Sequence, residues 1–562
     1  MLKAAHPSNK RVKRVKGVTG EQRGRAFSPF TLLALFTLLT LSPSVFSAEA
    51  ETLKKNQTGL YRDVFDQGMY YEMTNYLRFD RLGRKLTGKK KRAADVNAFD
   101  EIPDSGFFTN RQGRKPLSAD ELVNGPKGDA LDVSGNITIT EGKAEGLHPG
   151  FFVKDSKGNQ FLLKFDSPDY LELNTGAETT ASRFYHAIGY NVPSYNVAVF
   201  SPERLVPGEG ATIIDSTGFE KKLTKEKLEE FLLFIPWDSE GRFRASATQV
   251  LPGQNLGNFF FYGRRKKDPD DKLDHDTLRE IRALRLFSAW LNNFDTRESN
   301  TLDLLVEENG RKFVKHYLID FNGALGAAYE GPKPPMLGHE YMIDNGETTK
   351  AIFALGLWEK PWQKRWREAG SEYNTPAAVG YFDNHYFNPE GYKTQMPHYA
   401  FRDLTLADAL WAAKIIMSFS DEEIRSMMKA GKYSNSEDGE AIAKVLIERR
   451  DLMGRYWFKK TNALSGFDIS GSKLVFEDLS VKHGFEKENT ALYRAQVFAR
   501  EGKNFKKITQ LESREPSFNL EQGWLSKEIR LDIRTVRNDA KPSPVMRVTL
   551  NGGKMAGIAH ED

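Results

Sequence analysis

Three polar residues in the middle of the chain have the types and the spacing for metal-assisted phosphate chemistry. Asp295 and Asn300 are separated by four residues and follow an apolar periodic segment, and Asp320 lies twenty positions beyond Asn300. A carboxylate can accept the proton of an attacking hydroxyl, and carboxylate and amide oxygens are suitable ligands for Mg²⁺. The pattern predicts Asp295 as a general base and Asn300 and Asp320 as metal ligands. The alternative is that all three are polar residues of solvated loops with no role in chemistry.

A cation for the phosphates of ATP is the next requirement of such chemistry. Lys164 ends an apolar strand pattern, and Glu178 lies in the helix pattern that follows. We predict that Lys164 contacts the α- and β-phosphates and that Glu178 is its ion-pair partner. The alternative is an ordinary ion pair, which contributes little to stability when it is exposed.

Two further groups could contact the nucleotide or the transferred phosphate. Arg297 stands two residues after Asp295, and we predict that it lies near the transferred phosphate; the alternative is an ordinary loop residue. The turn at 142–150 contains Lys143 and Gly146, and we predict that it covers the phosphates. No G-x-G-x-x-G motif is present to support this assignment.

The elements that must position these residues alternate between strand and helix patterns. Residues 136–165 read as strands with a turn at 155–159. Residues 175–190 read as a helix with Thr175 as its N-cap and Gly189 near its end. Residues 278–293 form an amphipathic helix pattern, and 222–234 form a charged one.

The second half of the chain carries a hairpin signal, a helical region and a strand-rich tail. Asn309-Gly310 within 301–321 is the typical two-residue hairpin turn. Helical patterns dominate 405–460, where Ser420 and Glu423 form a capping-box pattern. Strand patterns return in 487–562, and the sequence has no internal repeat.

Composition indicates an ordinary globular protein with an export leader. The chain has 562 residues, of which 39% are hydrophobic and 28% charged, and its net charge is +5. Basic residues at 10–25, an apolar run at 31–41 and small residues at 42–50 follow the order of a signal peptide. We therefore expect export to a bacterial periplasm or exterior, with membrane contact only if the leader is retained. The absence of cysteine excludes disulfides and zinc–thiolate sites, and no patch predicts nucleic-acid binding.

These segments together resemble the protein-kinase-like superfamily. The strand lysine, the helix glutamate and the Gly-Tyr-x-Val-Pro exit at 189–193 are similar to HipA-like kinases. The superfamily also includes phosphatidylinositol kinases and aminoglycoside phosphotransferases. Residues 95–560 resemble more closely a group of exported bacterial proteins with a kinase-like core, through segments such as 100–111, 251–263, 282–303 and 316–326.

The resemblance has two departures in the catalytic segments. Asn293 stands where kinase loops usually carry a histidine, two residues before the catalytic aspartate. Asn322 stands where the Asp-Phe-Gly element carries its glycine, and asparagine tolerates left-handed backbone better than most residues.

The fold that the resemblance implies is α+β, with a two-lobed protein-kinase-like core. Its implied function is transfer of the ATP γ-phosphate with Mg²⁺ to an unknown acceptor. A catalytically inactive envelope binding or scaffold protein on the same fold is the alternative, and a surface-binding role of the tail is a third possibility. The predicted parts are a signal peptide (1–48), an N-terminal extension (49–130), a β-rich N-lobe (131–262), a mainly helical C-lobe (263–465) and a β-rich C-terminal region (466–562).

Overall fold

The computed structural model shows a mixed α+β fold. It describes residues 53–56, 60–76, 79–87, 90–143, 150–214, 219–360, 362–364, 367, 375–537 and 541–561. The predicted signal peptide, 1–48, and Gly146 lie outside these residues. Within the described ranges, no helix has the length and apolar character needed to cross a bilayer.

Short helices precede the first sheet. They are α1 (Leu60–Phe65), a π-helical turn (Asp66–Tyr70), α2 (Tyr71–Tyr76), α3 (Phe79–Thr87) and α4 (Ala119–Asn124). The Ser118 hydroxyl caps α4 by accepting from the Glu121 N–H, and the Glu121 carboxylate accepts from the Ser118 N–H. This capping box satisfies backbone donors that a helix start leaves unpaired.

A seven-stranded sheet follows and carries the predicted phosphate lysine. Its strands and accompanying helices are β1 (Ile137–Gly142), β2 (Gly150–Lys154), β3 (Gln160–Phe165), α5 (Leu173–Ile188), β4 (Tyr195–Phe200), β5 (Leu205–Ile214), β6 (Glu220–Lys222), α6 (Lys225–Leu232) and β7 (Phe243–Gln249). The strand order is β4-β7-β3-β2-β1-β5-β6, and only the β1–β5 pair is parallel. The predicted turn between β2 and β3 is confirmed, because the Asp155 carboxylate accepts from the Lys157 and Asn159 N–H groups.

Helix α5 is confirmed, but the prediction of its N-cap is wrong. The helix begins at Leu173, and Thr175 lies inside its first turn. Asp166, at the end of β3, accepts from the backbone N–H groups of Glu172 and Thr175 at 2.9 and 2.8 Å. A carboxylate directly after the preceding strand therefore caps the helix, and the Thr175 hydroxyl donates to the same carboxylate.

The central part of the chain positions the two acidic loops. Its elements are β8 (Gln254–Asn255), α7 (Arg279–Trp290), a 3₁₀ turn (Glu298–Asn300), β9 (Thr301–Glu308), β10 (Arg311–Leu318), β11 (Ala327–Ala328), β12 (Gly331–Pro332) and α8 (Asn345–Phe353). The Asn-Gly hairpin is confirmed, since Glu308 pairs with Arg311 across two residues with positive φ, Asn309 (52°) and Gly310 (75°).

The helical region and the tail share one hydrophobic core. The helices are α9 (Tyr399–Arg402), α10 (Leu406–Met417), α11 (Asp421–Met427) and α12 (Ser436–Lys460), and the Ser420–Glu423 capping box is confirmed. The tail contains β13 (Leu464–Ser470), β14 (Lys473–Asp478), α13 (Leu479–Lys482), β15 (Ala491–Glu501), β16 (Asn504–Ser513), β17 (Ser517–Asn519), β18 (Glu528–Arg537), β19 (Val545–Asn551) and β20 (Lys554–Glu561). Buried residues of α10, α12, β15 and β18 belong to one cluster.

Candidate active site

Lys164 lies at the centre of a buried ion cluster. Its ammonium group donates to Glu178 Oε1 at 2.6 Å and to Asp320 Oδ1 at 2.9 Å. The strand β3 carries the lysine, α5 carries the glutamate, and the loop after β10 carries the aspartate. Burial acts to lower the pKa of Lys164, but the carboxylates of Asp320 and Glu178 outweigh it and hold that pKa above its usual value. The lysine is therefore a fixed cation at neutral pH.

The backbone at Asp320 is held in an uncommon conformation. Its φ is 61°, in the left-handed region, whereas Asn322 has no positive φ. The residue with left-handed backbone is therefore Asp320, not Asn322, whose tolerance of that conformation is not used in this loop. The Asp320 N–H donates to the Tyr195 hydroxyl at 3.1 Å, and the Phe321 ring stacks on Tyr185. These contacts hold a backbone conformation that residues other than glycine seldom adopt.

The Asp295 carboxylate is buried and bonded through both of its oxygens. Oδ2 accepts from the Asn300 amide at 2.8 Å, and Oδ1 accepts from the Tyr329 hydroxyl at 2.7 Å. Arg297 Nε lies 3.2 Å from Oδ1. Burial raises the pKa of Asp295 above its usual value, against the opposing effects of Arg297 and the Tyr329 hydrogen bond. A carboxylate with a raised pKa is a stronger base once it is ionised.

Asn293, at the position where kinase loops usually carry a histidine, supports the loop that contains Asp295. Its side-chain oxygen accepts from the Asp295 N–H at 3.2 Å, and its side-chain amide donates to the Tyr185 hydroxyl at 3.1 Å. The Ser288 and Thr296 hydroxyls continue this buried network, 2.7 Å apart. The asparagine therefore ties the loop to both α5 and α7 without carrying charge.

The two predicted metal ligands lie side by side. The Ile319 N–H donates to the Asn300 carbonyl at 3.1 Å, which brings the turn containing Asn300 against the residue before Asp320. The Asn300 amide nitrogen is used by Asp295, so its oxygen is the atom left for a cation. No group of three or more acidic, histidine or cysteine side chains in the described part of the chain could hold a metal alone. Two oxygen donors suit Mg²⁺ bound jointly with phosphates.

The predicted residues are not all brought to the same place. Asp295, Arg297, Asn300 and Asp320 line one small cleft, and the ion pair with Asp320 joins Lys164 to it. Lys143 lies at the same end of the sheet, but the Lys143 N–H bonds to Gly150, which in turn pairs with Lys164 in β3. It is thus two strands away from Lys164.

Residues that no sequence motif marks contact the side chains of this cleft. The Tyr329 hydroxyl donates to Asp295 Oδ1 at 2.7 Å and lies 2.9 Å from Gln395 Oε1, which accepts from Arg297 at 3.2 Å. No spacing rule connects residue 395 with residue 295. Gly323 had a detectable signal, since it completes the Asp-Phe-Asn-Gly segment. A Cβ at that position would lie 2.9 Å from the Asp295 Cβ.

Comparisons with known proteins give only distant structural similarities. Neither protein-family models nor curated sequences gave a match. A Helicobacter pylori proinflammatory kinase, CtkA, has 11% identity and a TM-score of 0.31, with coverage of 58% of this chain and 98% of that one. The Golgi casein kinase has 11% identity and a TM-score of 0.26, with coverage of 69% and 88%. Its form with Mn/ADP bound has 12% identity and a TM-score of 0.23, with coverage of 54% and 76%. These low scores do not establish the function of this chain.

Proposed function

We propose that the protein is a phosphotransferase with a two-lobed, protein-kinase-like core that moves the γ-phosphate of ATP to a hydroxyl acceptor. The observation that carries this proposal is the convergence of three separate elements. Lys164 from a strand, Glu178 from a helix and Asp320 from a loop form one buried ion cluster. Asp320 shares its cleft with Asp295 and Asn300. Phosphoryl transfer needs a fixed cation, oxygen ligands for a divalent ion and a carboxylate for the nucleophile, and this cleft supplies all three.

Each group has a distinct role in this proposal. Lys164 binds the α- and β-phosphates while Glu178 keeps its ammonium group in place. Asp295 orients the acceptor hydroxyl and takes its proton, and Arg297 stabilises charge on the transferred group. Asp320 and Asn300 would hold Mg²⁺, which neutralises phosphate charge when it is bound. Asp320 would then exchange part of its contact with Lys164 for contact with the cation.

A non-catalytic nucleotide-binding or scaffold protein is the second candidate. Arg297 lies 3.2 Å from the Asp295 carboxylate, and Tyr329 and Asn300 occupy its two oxygens. Those contacts stabilise the ionised form and so reduce the rise that burial gives the pKa of Asp295, which limits its strength as a base. A chain that keeps the ion cluster but not an effective base would bind nucleotide without transferring phosphate.

Thermal unfolding with and without Mg-ATP tests binding. A ligand that binds only the native state stabilises it, by about 2.7 kcal/mol at a hundredfold excess over its Kd. We expect Mg-ATP to raise the Tm of the wild type and to have little effect on Asp320→Ala. The variant should fold, because Lys164 keeps its 2.6 Å bond to Glu178. The exposed Asp468 provides a matched control, and Asp468→Ala should respond like the wild type.

Transfer is tested separately from binding. Removing a general base typically costs about 10²- to 10⁴-fold in rate. We expect Asp295→Asn to lose ADP production by that factor while its Tm still responds to Mg-ATP. If Mg-ATP does not change the Tm of the wild-type protein, the phosphotransferase proposal is wrong. A Tm response without ADP production or transfer to any acceptor would instead support the non-catalytic candidate.

The cellular location is a further part of the proposal. We propose that the basic, apolar and small-residue order of the leader exports the chain, and that it works outside the bacterial cytoplasm. Fractionation of cells that express the full chain, with and without residues 1–48, tests this assignment. Accumulation of both forms in the cytoplasm would contradict it.

A further inference from the structure

A second cleft, separate from the Lys164 cluster, collects basic and aromatic side chains. It lies between the loop after β12, the loop before α9 and the middle of α12. It leaves about 30 Å³ for the centres of water-sized molecules, within about 510 Å³ of space that includes its open mouth. Lys333 and Arg449 line it together with His339, Tyr381 and Tyr392. Neither the predicted catalytic residues nor the predicted metal ligands belong to this cleft.

The two basic side chains of this cleft are buried without a hydrogen-bonded carboxylate. Lys333 and Arg449 are each 4% exposed, and their side-chain hydrogen bonds within the described chain go to carbonyl and amide oxygens. Asp383 lines the same cleft and acts on both charges without a side-chain bond to either. The guanidinium of Arg449 donates to the Asn384 side chain and to the carbonyls of Ala289 and Asp383. A buried charge is costly unless a counter-charge compensates it.

Lys333 keeps donors available toward the cleft. Its ammonium group makes one hydrogen bond within the described chain, to the Leu337 carbonyl at 2.7 Å, and lies 5.1 Å from the centre of the Tyr381 ring. An ammonium group has three N–H donors. Two of them therefore remain for a ligand.

A buried tyrosine hydroxyl in the same cleft supports the presence of a ligand independently. Tyr392 is 5% exposed, and its hydroxyl has no hydrogen-bond partner among the described residues. Leaving a buried polar group unpaired costs about 1–3 kcal/mol. A ligand oxygen would remove that cost.

We propose that this cleft binds an oxyanion, such as the phosphate or carboxylate group of a small molecule or peptide. Lys333 would supply the charged contact, the Tyr392 hydroxyl and the His339 imidazole would supply hydrogen bonds, and Arg449 would add to the positive field. This site is independent of the proposed nucleotide site, and it would exist in a protein with no transferase activity.

The electrostatics give the site a pH signature. Burial and, to a smaller extent, Arg449 lower the pKa of Lys333 to about 7, and the Asp383 carboxylate opposes them. The same cleft contains His339, whose pKa is lowered to about 4 by burial and by Lys333, and Tyr381. Above pH 7 Lys333 loses its proton, so an anion that requires the charged form should bind more weakly as the pH rises through 7.

Thermal unfolding with inorganic sulfate at constant ionic strength tests the proposal, because the charge of sulfate does not change over this pH range. We expect sulfate to raise the wild-type Tm at about pH 6 and much less at about pH 9. In Lys333→Met the apparent affinity should fall by about tenfold or more. Lys312→Met, on an exposed side chain, should behave like the wild type. A second titration with acetate decides whether the site prefers tetrahedral or planar oxyanions.

Two results would overturn the inference. One is an unchanged sulfate response in Lys333→Met, which would assign the effect to general salt stabilisation or to the nucleotide cleft. The other is a wild-type Tm that does not depend on sulfate at about pH 6. If Lys333→Met does not fold, Tyr392→Phe decides, because it removes only a hydroxyl with no partner in the described chain. A sulfate affinity in that variant equal to the wild-type value would equally contradict the site.

Discussion

Tyr329 shows how a single hydroxyl can set the properties of the candidate base. It donates to Asp295 Oδ1 and also lies 2.9 Å from Gln395 Oε1. Burial raises the pKa of Asp295, and the tyrosine hydrogen bond is among the contacts that limit that rise. Tyr329 would be a positioning residue, since it acts through the carboxylate and not on the reacting atoms.

The substitution Tyr329→Phe should shift the pH profile of transfer. A general base works only when it is ionised, so activity rises as the pH passes through its pKa. Without the hydroxyl, the ionised form of Asp295 loses a stabilising donor and its pKa rises further. We expect the acid limb of kcat/KM for Tyr329→Phe to move to higher pH, with the Tm response to Mg-ATP retained.

A comparison with Tyr317→Phe separates this effect from the general loss of a tyrosine hydroxyl. Tyr317 lies in the strand β10, and its side chain packs in a different small cluster from Tyr329. We expect its pH profile to match the wild type. An acid limb that stays in place in Tyr329→Phe would argue that Asp295 is not the group being titrated.

At the scale of elements, the loop from Asp320 to Gly323 must approach the Asp295 loop closely. A Cβ added at Gly323 would come within 2.9 Å of the Asp295 Cβ and 3.3 Å of the Phe294 ring. Both loops are fixed, by the Leu325–Leu291 hydrogen bond on one side and by the Gln395–Phe294 hydrogen bond on the other. Position 323 therefore requires a glycine, because a side chain there would clash with Asp295.

The substitution Gly323→Ala should disturb both loops together. Overpacking of a closed site typically costs about 1–3 kcal/mol. We expect a lower free energy of unfolding and a transfer rate that falls more than the stability loss alone explains. Urea unfolding and ADP production measure the two quantities. Gly523→Ala is the matched control, since a Cβ there meets no atom within 4 Å. Equal behaviour of the two variants would show that the close approach is not needed.

Elements with a local signal were predictable from the sequence, and contacts between distant segments were not. The Asn309-Gly310 turn and the Ser420–Glu423 capping box depend on a few adjacent residues, so their patterns identified them. The cap of α5 comes from Asp166, which directly follows the preceding strand, and local spacing assigned it wrongly to Thr175. Propensity rules describe neighbours in sequence and cannot include such tertiary partners.

The same division holds within the candidate site. The pairing of Lys164 with Glu178 was predicted, since a strand and the next helix are adjacent in sequence. The contact of Lys164 with Asp320 spans 156 positions, so it depends on the tertiary fold and not on neighbouring residues. Tyr329 and Gln395 carry no motif, because a hydrogen bond to a carboxylate can come from any donor that the fold brings near.

At the scale of the whole molecule, the strand-rich tail is connected to the rest of the chain by specific polar contacts as well as by the shared core. The Asn462 side chain donates to the Ile533 carbonyl at 2.9 Å and accepts from the Thr535 hydroxyl at 2.8 Å. The Ile558 N–H, from the last strand, donates to the Ala98 carbonyl at 2.8 Å. The tail therefore contacts both the end of α12 and a segment near the start of the described chain.

This connection predicts that tail and helical region unfold together. Asn462→Ala would leave a buried carbonyl and a buried hydroxyl without their partner, which costs about 1–3 kcal/mol. We expect the urea midpoint to fall while the transition stays single, because the tail and the helices lose their common core at the same step. Far-UV circular dichroism and tryptophan fluorescence should therefore give coincident curves. Asn551→Ala, at an exposed strand end, should leave the midpoint unchanged. Two separate transitions in the wild type would instead mean that the tail is an independent unit whose contacts with Asn462 contribute little.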